Sequence, residues 1–90
     1  MLYMVTEHFK DGDAAPVYAR YRERGRMLPE GLRYVASWTT ADLGRCFQLM
    51  ECADARLLDE WTARWQDLID FEIVPVITGQ EAAARLAAQP

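Results

Sequence analysis

The chain has 90 residues, 51% of them apolar, and 14 acidic against 10 basic side chains leave a net charge of −4. That length allows one domain with one core, which hides only roughly 60–65% of its unfolded surface, so a second subunit is a common source of added stability. The negative balance excludes a partner held by phosphate contacts, whether nucleic acid or an anionic membrane surface.

The opening residues MLYMVTEHFK lack the basic lead and apolar core of a secretory leader. No apolar run approaches the ~20 residues of a membrane span. A cytoplasmic location is therefore expected. Cys46 and Cys52 fall six residues apart on one expected strand, roughly 20 Å at ~3.3 Å per residue. A disulfide needs Cα atoms within about 7 Å, so the two thiols cannot pair with each other.

Residues 2–9, LYMVTEHF, are rich in β-branched and aromatic side chains and predict a first strand, ended by the turn signal Asp11-Gly12. Asp13 can cap a helix starting at Ala14, with Pro16 tolerated in its first turn. Val17, Tyr21 and Leu28 fall on one face at helical spacing, widened by Tyr18 and Met27. Arg20, Arg22, Glu23, Arg24 and Arg26 form the other, charged face, and Pro29-Glu30-Gly31 is expected to break the helix. A charge run of this kind is ordinarily a solvated face; an anion-binding rim is the sharper alternative.

Strand two is predicted from Leu32 to Thr39 and strand three from Arg45 to Cys52, with a loop around residues 41–44. Placing Trp38 opposite Cys46 pairs Ala36 with Gln48, Tyr34 with Met50 and Arg33 with Glu51, the last an opposite-charge pair that favours this register. One surface of the hairpin then carries Val35, Ser37, Phe47 and Leu49. The other carries Tyr34, Ala36, Trp38, Cys46, Gln48 and Met50. Neither alternates cleanly enough to be a solvent face, and the pattern leaves open which one meets the helices.

Asp54 can cap a second helix running to about Asp67, with Leu57, Leu58, Trp61, Trp65 and Leu68 as its apolar stripe. Residues 69–78 predict strand four, which Pro75 confines to a sheet edge or a bulge. Thr78 and Glu81 match a capping box at the start of an alanine-rich accessory helix. The organisation expected is a domain over residues 1–78 and a helical tail over residues 79–90. The order strand, helix, strand, strand, helix, strand gives an α+β class: a ferredoxin-like βαββαβ fold, with an antiparallel sheet in the order 4-1-3-2 and two helices on one face. Two helices cover one face of such a sheet. A second subunit packed on the other makes a homodimer the expected assembly.

The runs MLYMVTEHF, GLRYVASW, CFQLME and LLDEW…W…L.DFEIVPV resemble a family of short bacterial proteins described as domain of unknown function 3303. The likeness runs from Met1 to about Thr78. Such proteins resemble the dimeric α+β barrel superfamily, which contains small cofactor-independent monooxygenases, isomerases, haem proteins and ligand-sensing domains. The resemblance implies the dimeric barrel and transfers no catalytic residue.

In the 4-1-3-2 order the end of strand one meets the start of strand three, which gathers His8, Trp38 and Cys46 at one end of the sheet. If strand one has the matching parity, His8 shares a face with Thr6, Tyr34 and Gln48. An imidazole beside a polar amide and aromatic walls would suit a small cleft. His8 could then act as general base, Gln48 could donate to a carbonyl oxygen, and Tyr34 and Trp38 could wall an aromatic ligand. The plainer readings are a hydrogen-bonded structural histidine, core or interface aromatics, a structural amide at Gln48, and a small buried thiol at Cys46 rather than a thiolate paired with His8. No cofactor and no metal site is expected, since one histidine and no paired-cysteine spacing supply too few ligands. Two functions from different classes follow: a homodimer that binds a small apolar or aromatic molecule in a sheet–helix cleft, or a cofactor-independent oxygenase or isomerase using His8.

Overall fold

The computed structural model describes residues 1–89. Its elements are β1 (Leu2–Phe9), α1 (Ala15–Arg24), β2 (Arg33–Thr39), β3 (Arg45–Glu51), α2 (Arg56–Ala63), β4 (Ile69–Val76) and α3 (Gly79–Ala87). The four strands form one antiparallel sheet in the order β2-β3-β1-β4, the expected ferredoxin-like arrangement. β4 lies at an edge, where the missing N–H of Pro75 costs no ladder bond with a further strand.

β1 and β3 are the two central strands, and each alternates strictly. Val5, Glu7, Phe9, Cys46, Gln48 and Met50 are buried, while their neighbours along the strands are not. Alternation with period two separates the faces of a strand, so the buried set lies under the helices. Val17 of α1 and Leu58 and Trp61 of α2 complete the core, together with Trp65 in the turns that follow α2. The opposite face carries Trp38, Val74 and Val35, which stay 56%, 49% and 38% exposed, with Met4, Phe47 and Leu49 half-buried among them.

Two departures from the expected pattern reshape the interior. First, α1 stops at Arg24 rather than near Pro29. Gly25 has φ 68° and ψ −158°, a backbone region open essentially only to glycine, and its N–H closes the helix on the Tyr21 carbonyl at 2.7 Å. Arg26 therefore leaves the helix and its charged face. Second, the β2–β3 register begins as expected, Arg33 with Glu51 and Tyr34 with Met50, and then shifts. An extra residue between Tyr34 and Ala36 pairs Ala36 with Leu49, Ser37 with Gln48, Trp38 with Phe47 and Thr39 with Cys46. One inserted residue turns every later side chain to the other face.

The helix ends follow from short polar side chains. Asp13 accepts from the Ala15 N–H at 3.0 Å and Asp54 from the Arg56 N–H at 3.0 Å. Thr78 accepts from the Glu81 N–H at 3.0 Å, half of the predicted capping box. α3 carries no buried residue. The Cα radius of gyration, 14.8 Å, exceeds the ~12 Å of a compact chain of this length, as befits an open sheet with an appended helix. Among the described residues no helix is long and apolar enough to cross a membrane.

Candidate functional site

Between the sheet and α1 lies a pocket of about 110 Å³, closed on its apolar side by Phe9, Val17, Trp61, Trp65 and Ile69. Its polar wall is built from the sheet: Glu7, Ser37, Cys46 and Gln48, with Arg26 arriving from the segment after α1. For scale, an engineered apolar cavity of about 150 Å³ takes up benzene. The pocket thus has room for a small ring or a short chain.

Glu7 is the buried acid of this wall, 5% exposed. Its position follows from parity. β1 pairs Val5 with Gln48 and Glu7 with Cys46, and cross-strand partners share a face. The Gln48 amide donates from Nε2 to Glu7 Oε2 at 2.7 Å and accepts on Oε1 from Arg26 Nε at 3.3 Å. The orientation of that amide is fixed by chemistry, because a guanidinium can only donate and an ionised carboxylate can only accept. Apart from that amide, the donor at the Glu7 carboxyl is the Cys46 thiol; no nitrogen or hydroxyl among the described residues reaches Oε1, and Glu7 lines the pocket.

Burial pushes the Glu7 carboxyl up to about 7, against the opposing pull of the Gln48 amide, the Cys46 thiol and the Arg26 charge. Removing a carboxylate from water disfavours its charged form, and here that effect outweighs the donors. Cys46 is pushed up to about 11, first by its own burial and then by the charge of Glu7. It remains a thiol at neutral pH and is a poor nucleophile there.

The Arg26 guanidinium stacks over the Tyr34 ring at 3.6 Å and faces the Tyr21 ring at 5.0 Å, while Nη1 donates to the Tyr21 hydroxyl at 3.3 Å. Among the described residues no carboxylate lies within 4.0 Å of it, whereas Arg20 forms a two-pronged pair with Asp67. The Arg26 carbonyl accepts from both indoles, Trp61 Nε1 and Trp65 Nε1, each at 3.0 Å. Tyr34 is braced by its hydroxyl against Ser37 Oγ at 2.7 Å, across the inserted residue.

The expected cluster is thereby divided. Tyr34, Cys46 and Gln48 lie together on the helix side, Cys46 and Gln48 in the pocket wall and Tyr34 behind Arg26. Trp38 does not join them, because the inserted residue of β2 turns it to the open face opposite Phe47. Nor does His8. Strand one has the other parity, which pairs His8 with Arg45 and Asp70 on the open face and leaves His8 Nε2 3.5 Å from Glu72. Cys46 faces Glu7 across the strands rather than His8, and it is the small buried thiol of the plainer reading. Reasoning from the sequence missed Glu7, and placed Arg26 only in the charged run of the first helix. The available signals were that Tyr3, Val5 and Phe9 make the odd positions of β1 the bulkier apolar set, with Glu7 among them, and that Gly25 is a ready helix stop.

Among the described residues no three His, Cys, Asp or Glu side chains gather to hold a metal ion. Comparison with curated proteins and with solved structures gives no match. A family model does match, over residues 1–90, and so takes in the tail beyond Thr78 as well as the segments that carry the resemblance. The chain belongs to the family described as Domain of unknown function (DUF3303).

Proposed function

We propose that this chain is a small-molecule-binding domain whose ligand enters the pocket between sheet and helices, and that a second copy covers the opposite sheet face. The observation that carries the first part is Glu7: a buried carboxyl in the wall of an aromatic pocket, with one oxygen held by Gln48 and only the Cys46 thiol as a further donor. Buried polar groups are ordinarily satisfied, and a concave apolar site with a few convergent polar groups is the usual form of a ligand pocket. The ligand is small and largely apolar or aromatic. It carries a donor for Glu7 Oε1 or an oxygen for Arg26.

The homodimer rests on the open face. Exposed Trp38, Val74 and Val35 with half-buried Met4, Phe47 and Leu49 form an apolar surface of the kind that monomers rarely leave wet. Charges of both signs border it, Arg45 against Asp70 and Glu72. A two-fold axis brings such a surface against itself with opposite charges in register. We assign the protein to the cytoplasm, which suits two buried, unpaired thiols. The enzymatic alternative, a cofactor-independent oxygenase or isomerase, transfers its base from His8 to Glu7, since His8 lies on the far side of the sheet.

Both parts are open to direct test. A fragment library titrated into ¹⁵N-labelled protein should move the indole N–H signals of Trp61 and Trp65; a library that moves neither refutes the pocket reading. Sedimentation equilibrium at micromolar concentration should give a dimer, and a monomer refutes the sheet-to-sheet assembly.

A further inference from the structure

We propose that the pocket moves a proton on and off the carbon next to a carbonyl group, with Glu7 Oε1 as the base and the Arg26 guanidinium holding the carbonyl oxygen, so that its substrates are small enolisable ketones or oxoacids. This rests on the pocket reading and adds a reaction to it. The chemistry follows from what each polar group has left to give. Glu7 Oε2 and Gln48 are committed to each other, and Gln48 Oε1 is committed to Arg26 Nε. No nitrogen or hydroxyl among the described residues reaches Glu7 Oε1; the carboxyl's other donor is the weak Cys46 thiol, and Glu7 lines the pocket. Among the described residues Arg26 Nη2 makes no hydrogen bond, Nη1 reaches only the Tyr21 hydroxyl, and no carboxylate lies within 4.0 Å of the group. A base and a cation with N–H groups to spare thus stand one amide apart on the same wall.

That pairing suits one event. The base takes a proton from the α-carbon, the C–H electron pair becomes a carbon–carbon π bond, and the carbonyl π pair moves onto oxygen. The negative charge develops where a guanidinium can meet it. Glu7 then holds the proton as a neutral carboxylic acid and returns it to oxygen, to the same carbon or to a conjugated one, so the carboxylate is regenerated and no other reactant is consumed. Phe9, Val17, Trp61, Trp65 and Ile69 keep the wall apolar, which strengthens the cation's hold on an oxyanion relative to water. Gln48 keeps the carboxyl in one orientation, a positioning role. Burial that brings Glu7 to about 7 lets it act as acceptor and donor near neutral pH. The other nucleophiles of the wall are occupied or protonated: Ser37 Oγ is bonded to the Tyr34 hydroxyl, and Cys46 stays a thiol.

The test is α-proton exchange in D₂O, followed by ¹H NMR with cyclohexanone, acetophenone and 2-oxobutanoate as probes. Binding is followed separately through the Trp61 and Trp65 indole signals. With wild-type protein, at least one bound probe should exchange well above the buffer rate, rising with pH to a plateau above about 7. Glu7→Gln should lower that rate by about 100-fold or more while the probe still moves the indole signals, which also report that the variant is folded. Should that variant fail to fold, Glu7→Asp retracts the carboxylate by one methylene and should lower the rate at least about 10-fold. Arg26→Met should slow exchange of the neutral ketones as well as of the oxoacid, separating an oxyanion role from simple attraction of a carboxylate. A probe that binds without exchanging faster than in buffer overturns the proposal and leaves the pocket reading standing. Equal rates in wild type and the Glu7 variants overturn it too. Failure of all three probes to move the indole signals overturns the proposal together with that substrate class.

Discussion

Replacing Glu7 by glutamine isolates the energetic consequence of placing an acid in the core. Folding carries this carboxyl from an ordinary 4.5 to about 7, with burial as the main cause. The difference corresponds to about 3 kcal/mol between its protonated and ionised forms. The sign follows from proton uptake. Between pH 4.5 and 7 the folded chain holds a proton that the unfolded chain has released, so stability is full below 4.5, falls through that interval and is flat above it. Glu7→Gln keeps the shape and an oxygen to accept from Gln48, and it removes the titration. At pH 4.5 variant and wild type should differ little. At pH 8 the variant should be the more stable by about 3 kcal/mol, a displacement of the urea midpoint by roughly 2 M for a domain of this size. Urea titrations followed by tryptophan fluorescence, at one protein concentration and several pH values, measure the difference directly. Exposed acids whose ion pairs or capping bonds hold them below the usual range, such as Glu51 and Asp67, cancel in the comparison. A difference that stays constant between pH 4.5 and 8, or a variant that is the less stable at pH 8, refutes the reasoning.

Gly25→Ala should destabilise the fold by roughly 1–3 kcal/mol in thermal unfolding, through backbone strain alone, since an added Cβ meets nothing within 4 Å. Gln48→Leu strips Glu7 of its amide donor; it should cost about 1–3 kcal/mol and move the Glu7 carboxyl further upward, readable by ¹³C carboxyl NMR titration. Trp61→Phe and Trp65→Phe each remove one of two donors to the Arg26 carbonyl. Beyond the lost indole volume each should cost about 1 kcal/mol, and the double variant should lose more than the sum, because the carbonyl is then left with neither indole. Trp38→Asp should shift sedimentation to the monomer and leave the Glu7 titration unchanged, as Trp38 lies on the other side of the sheet.

Element order, sheet order and the edge position of β4 were legible because each rests on a local and strong signal: period-two strands, short polar caps, and a proline that excludes a central strand. The faces were harder. Arg33–Glu51 and Tyr34–Met50 pair as opposite charge and size suggest, yet two residues later the register has slipped. Nothing in GLRYVASW marks Val35 as the point of insertion. The bulge is held by a bond that exists only in the folded strand, Tyr34 hydroxyl to Ser37 Oγ. Parity in β1 was ambiguous for a related reason. Both of its faces are apolar enough to be covered, and the choice between His8 and Glu7 falls to pairing with β3 rather than to β1 itself. Cys46 and Gln48 reach the pocket wall because β3 is central and regular.

The polar wall of the pocket also depends on contacts made far from it in sequence. Trp61 and Trp65 read as bulk on the apolar stripe of a helix, and they do fill the core, at 1% and 4% exposure. Their indole N–H groups add a second role. Both converge on the Arg26 carbonyl, which has two lone pairs and uses them on these two donors. Fixing that carbonyl fixes the peptide plane just beyond the Gly25 reversal, and so the direction in which the Arg26 side chain leaves the backbone. The guanidinium is then carried over Tyr34 and onto Gln48, and Gln48 is turned with its amide nitrogen toward Glu7. Each link is short and involves groups with few alternatives: a carbonyl with no other partner, a cation with no carboxylate, an amide held at both ends. The position of the Arg26 charge beside a buried acid is thus set by the α2 segment, and a change at either tryptophan should reach Glu7 through Arg26 and Gln48.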